Sequence, residues 1–171
     1  MATPPEYEII TVPAVGQPGR EALRQQCYDV RIDVFHHEQG FPLDTEIDEY
    51  DEEATHILLR LVPSLKPVGT IRCVKLKDYY KLTRLAVLKD YRQYRFGRAL
   101  VESLHAFVRA EARVSASAAT LGEPGVVKVA AHSQIPVKGF YGRFGYVPEG
   151  DEFDEDGAPH QKMVVRLVLS D

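Results

Sequence analysis

The apolar positions of this chain follow two periodicities, and their order along the chain predicts the secondary structure. Short runs rich in β-branched and aromatic residues predict strands, whereas apolar residues spaced by three and four positions predict helices. The runs predict strands at residues 7–12, 54–62, 68–76, 80–88, 126–132 and 163–169. The helical spacing predicts one helix from Arg20 to a fading end at 36–40, a second over 96–113 and a third over 135–144.

The order of these elements predicts an α+β fold. The strands at 54–62, 68–76 and 80–88 have short connections, which are typical of an antiparallel meander. A crossover connection becomes possible only after the helix at 96–113. We therefore expect a single mixed, mostly antiparallel sheet with helices on both faces, in a single domain that spans residues 1–171.

Three further segments carry no apolar periodicity and predict loops. Residues 44–53 and 149–156 are rich in Asp and Glu, and the default interpretation of such segments is a solvated loop. Residues 114–125 are rich in Ser, Ala, Gly and Pro, which predicts a long surface loop, and we assign no function to it.

Composition and charge narrow the possible classes of protein. The 171 residues include 25 acidic and 21 basic side chains, and this balance disfavours a nucleic-acid-binding protein. No apolar run is long enough to span a bilayer, so we expect no membrane association. Cys27 and Cys73 lack metal-type spacing and predict buried, reduced thiols in a cytoplasmic protein, with a nuclear location left open. The histidines form no spaced ligand set, so we predict no metal.

The turn at 89–95 is the strongest candidate for a binding site. It joins the strand that ends at Leu88 to a helix, and the unpaired amides and dipole of a helix N-terminus attract anions. Gly97 leaves room for an anion to approach the backbone. Full positive charges come from Arg92, Arg95 and Arg98. The turn lacks the Gly-Lys-Ser/Thr of a P-loop and the repeated glycines of a dinucleotide fingerprint, so we interpret it as a pyrophosphate cradle.

Two signatures in this part of the chain resemble those of the GNAT acetyltransferases. Arg92-Gln-Tyr-Arg95-Phe-Gly97 resembles the acetyl-coenzyme A loop, Arg/Gln-x-x-Gly-x-Gly/Ala, with Arg95 in place of the middle glycine. Phe140-Tyr-Gly-Arg-Phe-Gly-Tyr146 resembles the second signature, Phe-Tyr-x-x-x-Gly-Phe/Tyr. The predicted order of elements is also that of the GNAT fold, so the resemblance covers nearly the whole chain.

Three segments are similar to the ElaA-like branch of this family. They are Arg31-Ile-Asp-Val-Phe-His-His-Glu-Gln-Gly40, Glu46-x-Asp48-x-x-Asp51-x-x-Ala54-x-His56 and Gly150-x-x-Phe153-x-Glu155-x-Gly157-x-Pro159-His160-x-x-Met163. The acceptor of the branch is poorly defined, so this similarity strengthens the fold prediction more than it defines a substrate.

The resemblance implies an enzyme that moves the acetyl group of acetyl-coenzyme A to a primary amine, by direct attack in a ternary complex. The strand at 84–87 would pair with the pantetheine arm, and an amide near Leu85 or Ala86 would donate to the thioester oxygen. Neither cysteine resembles an activated nucleophile, which favours direct attack over an acyl-enzyme. The expected coenzyme-binding residues are Leu85, Ala86, Val87, Arg92, Gln93, Tyr94, Arg95, Phe96, Gly97, Arg98, Ala99, Phe140 and Arg143.

The same resemblance suggests the catalytic and acceptor-binding residues. Tyr141 is the candidate general acid for the leaving thiolate. Glu38, His132 or an ordered water could take the proton of the amine, and Glu38, Gln39 and His160 could line the acceptor site. Each candidate also fits a structural role: Tyr141 as a core aromatic residue, Glu38 as a surface glutamate, and the histidines as hydrogen-bonded structural residues.

Other functions stay open from the sequence. One is sugar acetylation like that of the glucosamine-6-phosphate N-acetyltransferases, although no sugar-phosphate signature supports it. Another is a non-catalytic module that binds acyl-coenzyme A, and a third is an interaction protein that presents its acidic faces. The expected acceptor is a small-molecule or peptide amine, and acidic segments at the acceptor mouth would favour cationic amines. The oligomeric state is left open, with a homodimer as one option.

Overall fold

The computed structural model describes residues 3–115 and 125–169, and the helices and strands within these ranges match most of the predicted elements. The strands are β1 (Tyr7–Thr11), β2 (Thr55–Leu61), β3 (Pro67–Lys75), β4 (Tyr80–Val87), β5 (Val126–Gln134), β6 (Val147–Glu155) and β7 (Ala158–Val168). The α-helices are α1 (Arg20–Arg31), which continues as a π-helical segment (Ile32–Glu38), α2 (Phe96–Val114) and α3 (Lys138–Gly142). Short 3-10 turns lie at Leu43–Thr45, Lys89–Tyr94 and Ile135–Val137.

The strands form a seven-stranded sheet in the order β1-β2-β3-β4-β5-β7-β6. The pairs β1–β2, β2–β3, β5–β7 and β6–β7 are antiparallel, and β4–β5 is parallel. Strands β3 and β4 form a hairpin, because the Leu76 amide donates to Tyr79 at one end and the Leu88 amide donates to Val68 at the other, each at 2.9 Å. The predicted α+β fold with a mixed, mostly antiparallel sheet is therefore confirmed.

The chain forms two compact units. The first comprises Met1–Cys73 with Arg84–Leu104, and the second comprises Val74–Thr83 with His105–Asp171. The single domain expected from the sequence stays a prediction.

In the first unit, apolar side chains of α1 pack against two strands. Cys27 packs with Val12 and Leu58, while Val30 and Val34 pack with Ala86 of β4. These contacts confirm the apolar stripe that the sequence predicts for the helix. The stripe extends past α1, since Val34 belongs to the π-helical segment.

Glycine is needed on β3 where α2 approaches the strand. A Cβ atom at Gly69 would lie 3.0 Å from Leu100 Cδ1. This distance is shorter than an ordinary van der Waals contact, so a Cβ atom at this position would require the Leu100 side chain to move by a few tenths of an ångström.

The acidic segment 44–53 is a loop in which most charges are exposed, as predicted, but two of its carboxylates are buried. Glu46 is 4% exposed and Asp51 is 2% exposed. The fully buried Arg31 donates to both Asp51 oxygens, at 2.7 and 3.1 Å, and Arg72 donates to Asp51 Oδ1 at 2.8 Å. Burial alone would raise the pKa of Asp51, but these arginines outweigh burial and hold the pKa far below its usual value.

In the second unit, the prediction of an acidic loop over 149–156 is wrong. The structure has strand β6 there, paired antiparallel to β7. Asp156 and Gly157 both have positive φ angles, 53° and 84°, as a type I′ hairpin turn requires. Strand β6 lies at the edge of the sheet and is mostly exposed, with a register shift between Glu149 and Phe153. It therefore lacks the apolar alternation that marks a half-buried strand.

The structure also addresses the predictions for the cysteines, for the loop at 114–125 and for membrane-spanning segments. Cys27 and Cys73 are buried thiols, as predicted, and burial raises the pKa of the Cys27 thiol to about 11. Residues 116–124 of the predicted loop lie outside the described residues. In the part of the chain that the structure describes, no helix combines the length and apolar character needed to cross a bilayer.

The buried His56 predicts a loss of stability at mildly acidic pH. Its Nε2 lies 2.9 Å from the Asp51 carbonyl oxygen and donates to it, and burial lowers the pKa of His56 from 6.5 to about 4. Because the folded pKa lies below the unfolded value, the unfolded state binds more protons between these pH values. His56 should therefore remove roughly 3 kcal/mol from the free energy of unfolding as the pH falls from 6.5 to 4.

Urea unfolding at several pH values tests this expectation. His56→Gln should lose less stability on acidification than the wild type, because the titrating group is gone. His37→Gln, at an exposed position, should follow the wild-type pH dependence. Parallel curves for the wild type and His56→Gln would contradict the assignment.

Candidate functional site

The segment that joins β4 to α2 has the geometry of an anion site. A 3-10 turn over Lys89–Tyr94 leads to Arg95, whose φ and ψ of 60° and 30° are left-handed, and α2 begins at Phe96. The first amides of an α-helix have no acceptor within the helix. No acidic residue occupies the first turn of α2, so the amides and dipole of this helix end keep their attraction for anions.

Aromatic packing fixes this turn. The ring of Phe96 is buried and lies 4.9 Å from Tyr7 and 5.6 Å from Tyr94, between ring centroids. Tyr94 also lies 6.5 Å from Tyr91. Because the Phe96 ring belongs to the core, only its backbone could contribute to a coenzyme site.

The basic side chains of the turn differ in how far they are already paired. Arg92, Gln93, Arg95 and Arg98 are all exposed. Arg98 donates to Glu102 at 2.7 Å along α2. For Arg95, no ion pair forms within residues 3–115 and 125–169. Its guanidinium is therefore the one in this turn that could meet an anion without giving up a described salt bridge.

Arg92 connects the turn to two other predicted site residues. Its guanidinium forms a bidentate ion pair with Glu38, with one contact of 2.6 Å, and its Nε donates to the Val87 carbonyl at 2.9 Å. The hydrogen bonds from Arg92 outweigh burial and hold the pKa of Glu38 below its usual value. A carboxylate with a lowered pKa is a weaker base, so this pairing counts against Glu38 as the group that accepts the amine proton.

The end of β4 is shaped by an unusual backbone angle at Arg84. Its φ of 51° is rare for a residue with a side chain, and such angles persist only where the surroundings hold them. The guanidinium donates to the Thr45 carbonyl at 3.0 Å, the Glu46 carbonyl at 3.3 Å and Asp48 Oδ2 at 3.2 Å. These contacts tie the start of the predicted thioester strand, Leu85 to Val87, to the buried acidic segment.

In the second unit, Tyr141 lies in an aromatic cluster. Its ring is 5.3 Å from Phe140 and 5.5 Å from Tyr146, and Tyr146 in turn accepts or donates a 2.7 Å hydrogen bond with His105 Nε2. Burial raises the pKa of Tyr141 above its ordinary value of 10. The phenol therefore stays protonated at neutral pH, and burial makes it a weaker acid than an exposed tyrosine. Arg143, also predicted at the site, is exposed.

His132 and His160 lie on either side of Glu155, a residue of the third ElaA-like segment for which no role was predicted. His132 Nδ1 is 2.9 Å from Glu155 Oε1, and His160 Nε2 is 3.8 Å from Glu155 Oε2. His160 is mostly buried, and its Nδ1 donates to the Ala158 carbonyl at 2.8 Å. Across residues 3–115 and 125–169, no three His, Cys, Asp or Glu side chains form a group that could hold a metal ion.

Glu155 was missed because its strand was predicted as a loop. The sequence did contain a signal, since Asp156-Gly157 is a favoured dipeptide for a two-residue hairpin turn. A hairpin at this dipeptide pairs Glu155 with Ala158 and brings the carboxylate beside His160. Arg84 was predicted in the strand at 84–87, but its side-chain contacts were not, because its partners lie 36 to 39 residues away in the chain.

Comparison with known proteins shows which family the chain matches. The sequence profile of the family described as "Acetyltransferase (GNAT) domain" matches residues 23–167. The uncharacterized N-acetyltransferase YjcF of Bacillus subtilis is 34% identical over 152 residues, which cover 88% of this chain and 97% of YjcF.

Solved structures share the fold. Escherichia coli ElaA superimposes with a TM-score of 0.67 at 22% identity, over 93% of this chain and 98% of ElaA. The coenzyme A-dependent acyl-homoserine lactone synthase BjaI, solved with SAM and isopentyl-CoA, gives a TM-score of 0.71 at 18% identity, over 94% of this chain and 83% of BjaI. The profile match over most of the chain shows that this protein belongs to the GNAT family and is an acyl-coenzyme A-dependent acetyltransferase, with ElaA among its structural neighbours.

Proposed function

We propose that this enzyme transfers the acetyl group of acetyl-coenzyme A directly to a primary amine, in a ternary complex. The observation that carries the proposal is the turn between β4 and α2. There a left-handed Arg95 leads into a helix whose first amides lack helical acceptors, beside three exposed arginines. Amides and arginines in this arrangement fit a diphosphate, which offers oxygen acceptors and negative charge.

The thioester would be held by the backbone of β4. The ladder described between β4 and β5 pairs Tyr80–Leu82 with residues 129–131, and the left-handed Arg84 follows. We assign the next residues, Leu85 to Val87, to the pantetheine arm. An amide near Leu85 or Ala86 would donate to the thioester oxygen, where negative charge grows as the tetrahedral intermediate forms. The Arg84 contacts support this role because they fix the backbone just before these amides.

The reaction needs one group that accepts the proton of the amine and another that donates to the departing thiolate. The nitrogen of the amine attacks the carbonyl carbon, the C–N bond forms, and the C–S bond breaks. The base removes the proton from the amine nitrogen, and Tyr141 gives a proton to, or hydrogen-bonds, the departing thiolate. Burial raises the pKa of Tyr141, so the phenol is protonated when the thiolate forms but is a weaker acid than an exposed tyrosine, which favours a hydrogen bond to the thiolate over complete proton transfer.

For the base, the contacts favour His132 over Glu38. Glu38 is held by Arg92, and its lowered pKa reduces its basicity. His132 is half-buried, and its Nδ1 faces the Glu155 carboxylate. We therefore propose His132 as the base, acting directly or through a water, and assign Glu38 with Gln39 and His160 to binding the acceptor. The buried Cys27, with its raised pKa, offers no nucleophile for an acyl-enzyme.

The attraction of cationic acceptors by the acidic segments stays a proposal. Within 44–53, Asp51 is paired with Arg31 and Arg72, and within 149–156, Glu149 lies 3.3 Å from Lys162 and 3.6 Å from Lys128. Other carboxylates of the two segments are exposed: Asp44, Glu49, Glu52, Glu53, Asp151, Glu152, Asp154 and Asp156. The acceptor class stays a primary amine, with an amino sugar as the alternative.

Acetyl transfer can be measured directly as thiol release. With acetyl-coenzyme A and a panel of primary amines that includes amino sugars, we expect amine-dependent release of coenzyme A, and a higher melting temperature on adding the coenzyme because a ligand of the folded state stabilises it. Binding without release for any amine would favour the non-catalytic module. If the protein shows neither binding of the coenzyme nor release of thiol, the proposed function is wrong.

Tyr141→Phe separates catalysis from packing in the same assay. The variant keeps the ring in its aromatic cluster and removes only the hydroxyl. If Tyr141 is the acid, kcat should fall by about 100-fold or more while the affinity for acetyl-coenzyme A stays the same. An unchanged kcat would make Tyr141 a core residue only.

Arg95 can be tested by comparing two replacements. Both Arg95→Gly and Arg95→Ala remove the guanidinium, and we expect each to weaken acetyl-coenzyme A binding by about tenfold, the loss of one charge-assisted contact. Only glycine suits the left-handed backbone at φ 60°, so Arg95→Ala should be less stable than Arg95→Gly by about 1 kcal/mol. Calorimetric titration and urea unfolding measure the two effects; unchanged affinity in both variants would exclude a contact between this side chain and the diphosphate.

A further inference from the structure

We propose that Glu155 is a positioning residue for His132. The Glu155 carboxylate fixes the imidazole of His132 in the tautomer that leaves Nε2 free to accept a proton. The proposal rests on the proposed function, because it assigns a partner to the suggested base. It concerns three strands of the second unit, β5, β6 and β7, and it gives a chemical role to a residue in the segment predicted as a solvated loop.

The register of these strands brings the three side chains to one face of the sheet. Gln134 of β5 pairs with His160 of β7, and His132 of β5 pairs with Lys162 of β7. Because side chains two residues apart on a strand share a face, His132 and His160 lie on the same face of the sheet. On the other side of β7, Phe153 pairs with His160 and Glu155 pairs with Ala158. The tight turn at Asp156-Gly157 then holds Glu155 close to the strand that carries His160.

The contact between Glu155 and His132 decides the tautomer. His132 Nδ1 lies 2.9 Å from Glu155 Oε1. The hydrogen bond from His132 outweighs burial and holds the pKa of Glu155 below its usual value, so Glu155 is a carboxylate at neutral pH. An ionised carboxylate accepts hydrogen bonds and donates none, so the proton lies on Nδ1. In the neutral imidazole, Nε2 then carries the lone pair.

The orientation of the ring is fixed by a second set of contacts. The edge of the His132 ring meets Phe153, with centroids 5.0 Å apart and planes at 76°. Phe153 stacks on His160 at 6.1 Å, and His160 is anchored through its Nδ1 to the Ala158 carbonyl. Rotation of the His132 ring would break the 2.9 Å bond to Glu155 and the contact with Phe153 together.

The dyad is accessible and is not a closed structural pair. The side chain of His132 is 25% exposed and that of Glu155 is 37% exposed. The charged groups that act on Glu155 are His132, Lys81 of β4 and His160 of β7. A reactant or water could therefore reach Nε2 while Nδ1 is held by the carboxylate. This division of the two ring nitrogens is what a general base needs.

The test compares two isosteric replacements on the same strand. Glu155→Gln keeps the shape of the side chain but replaces the carboxylate with an amide that can present either an acceptor oxygen or an N–H donor to Nδ1, so the side chain no longer selects one tautomer. Glu149→Gln is the matched control, since it removes one carboxylate of β6 that pairs with Lys162 and Lys128 instead. The tautomer of His132 is read from nitrogen-15 NMR of the ring in the free enzyme, with the signals assigned by comparison with His132→Gln.

We expect the proton on Nδ1 in the wild type and in Glu149→Gln, and a mixture of the two tautomers in Glu155→Gln. In the thiol-release assay, Glu155→Gln should lower kcat by about 10 to 100-fold with the KM for acetyl-coenzyme A unchanged, the usual size of an effect that acts through an orienting partner. Glu149→Gln should keep the wild-type kcat.

A wild-type ring protonated on Nε2 would overturn the proposal, and this measurement needs no variant to fold. An unchanged tautomer in Glu155→Gln, or a changed tautomer with wild-type kcat, would also overturn it. The failure of the proposed function is distinguishable, because an enzyme that transfers no acetyl group to any amine still reports the tautomer of His132. In that case the NMR result decides whether Glu155 holds the ring, and the assay separately removes the catalytic assignment.

Discussion

The bidentate ion pair between Arg31 and Asp51 is the interaction on which the shape of the first unit depends. Both side chains are buried, and Arg72 adds a third contact at 2.8 Å. Breaking a buried pair by removing one partner leaves an uncompensated charge in the interior, which is strongly destabilising. The pair therefore fixes the segment 44–53 against α1 and β3. The segment, once fixed, offers the Thr45 and Glu46 carbonyls that hold Arg84.

Arg84 and Arg95 mark the two ends of the region assigned to the coenzyme. Each is an arginine in a left-handed conformation, at φ 51° and 60°, where a side chain is unfavourable. At Arg84, the guanidinium contacts hold the angle from the protein side. At Arg95, no described ion pair does so, which is consistent with a guanidinium kept for a ligand. The amides assigned to the pantetheine arm, Leu85 to Val87, lie between these two arginines in the chain. The amides assigned to the diphosphate lie at the start of α2, just after Arg95.

The two proposed proton-transfer groups owe their properties to different surroundings. Tyr141 sits among Phe140 and Tyr146, and burial alone raises its pKa. His132 lies on a polar sheet face, where the Glu155 carboxylate selects which nitrogen carries the proton. Burial keeps Tyr141 protonated but weakens it as an acid, whereas the hydrogen bond to Glu155 leaves Nε2 of His132 as the acceptor. The same logic explains why Glu38, held by Arg92, is a poor base.

The sequence was sufficient where local patterns determine structure. The apolar stripe of α1, the meander of β2 to β4 and the start of α2 at Phe96 all follow from periodicity and turn residues, and the structure confirms them. It was insufficient where a residue's environment depends on distant partners. The burial of Asp51 requires Arg31 and Arg72, which lie 20 and 21 residues away, and no local pattern reveals them. Strand β6 was missed because an exposed edge strand has no apolar alternation, although Asp156-Gly157 signalled its hairpin.

Hydrogen–deuterium exchange of the enzyme, with and without saturating acetyl-coenzyme A and with no acceptor present, tests the central claim most directly. The account predicts slower exchange at the backbone amides of residues 85–87 and 95–99 when the coenzyme is bound, because these amides would donate to the pantetheine arm and the diphosphate. Exchange that stays unchanged at both segments in the saturated enzyme would contradict it.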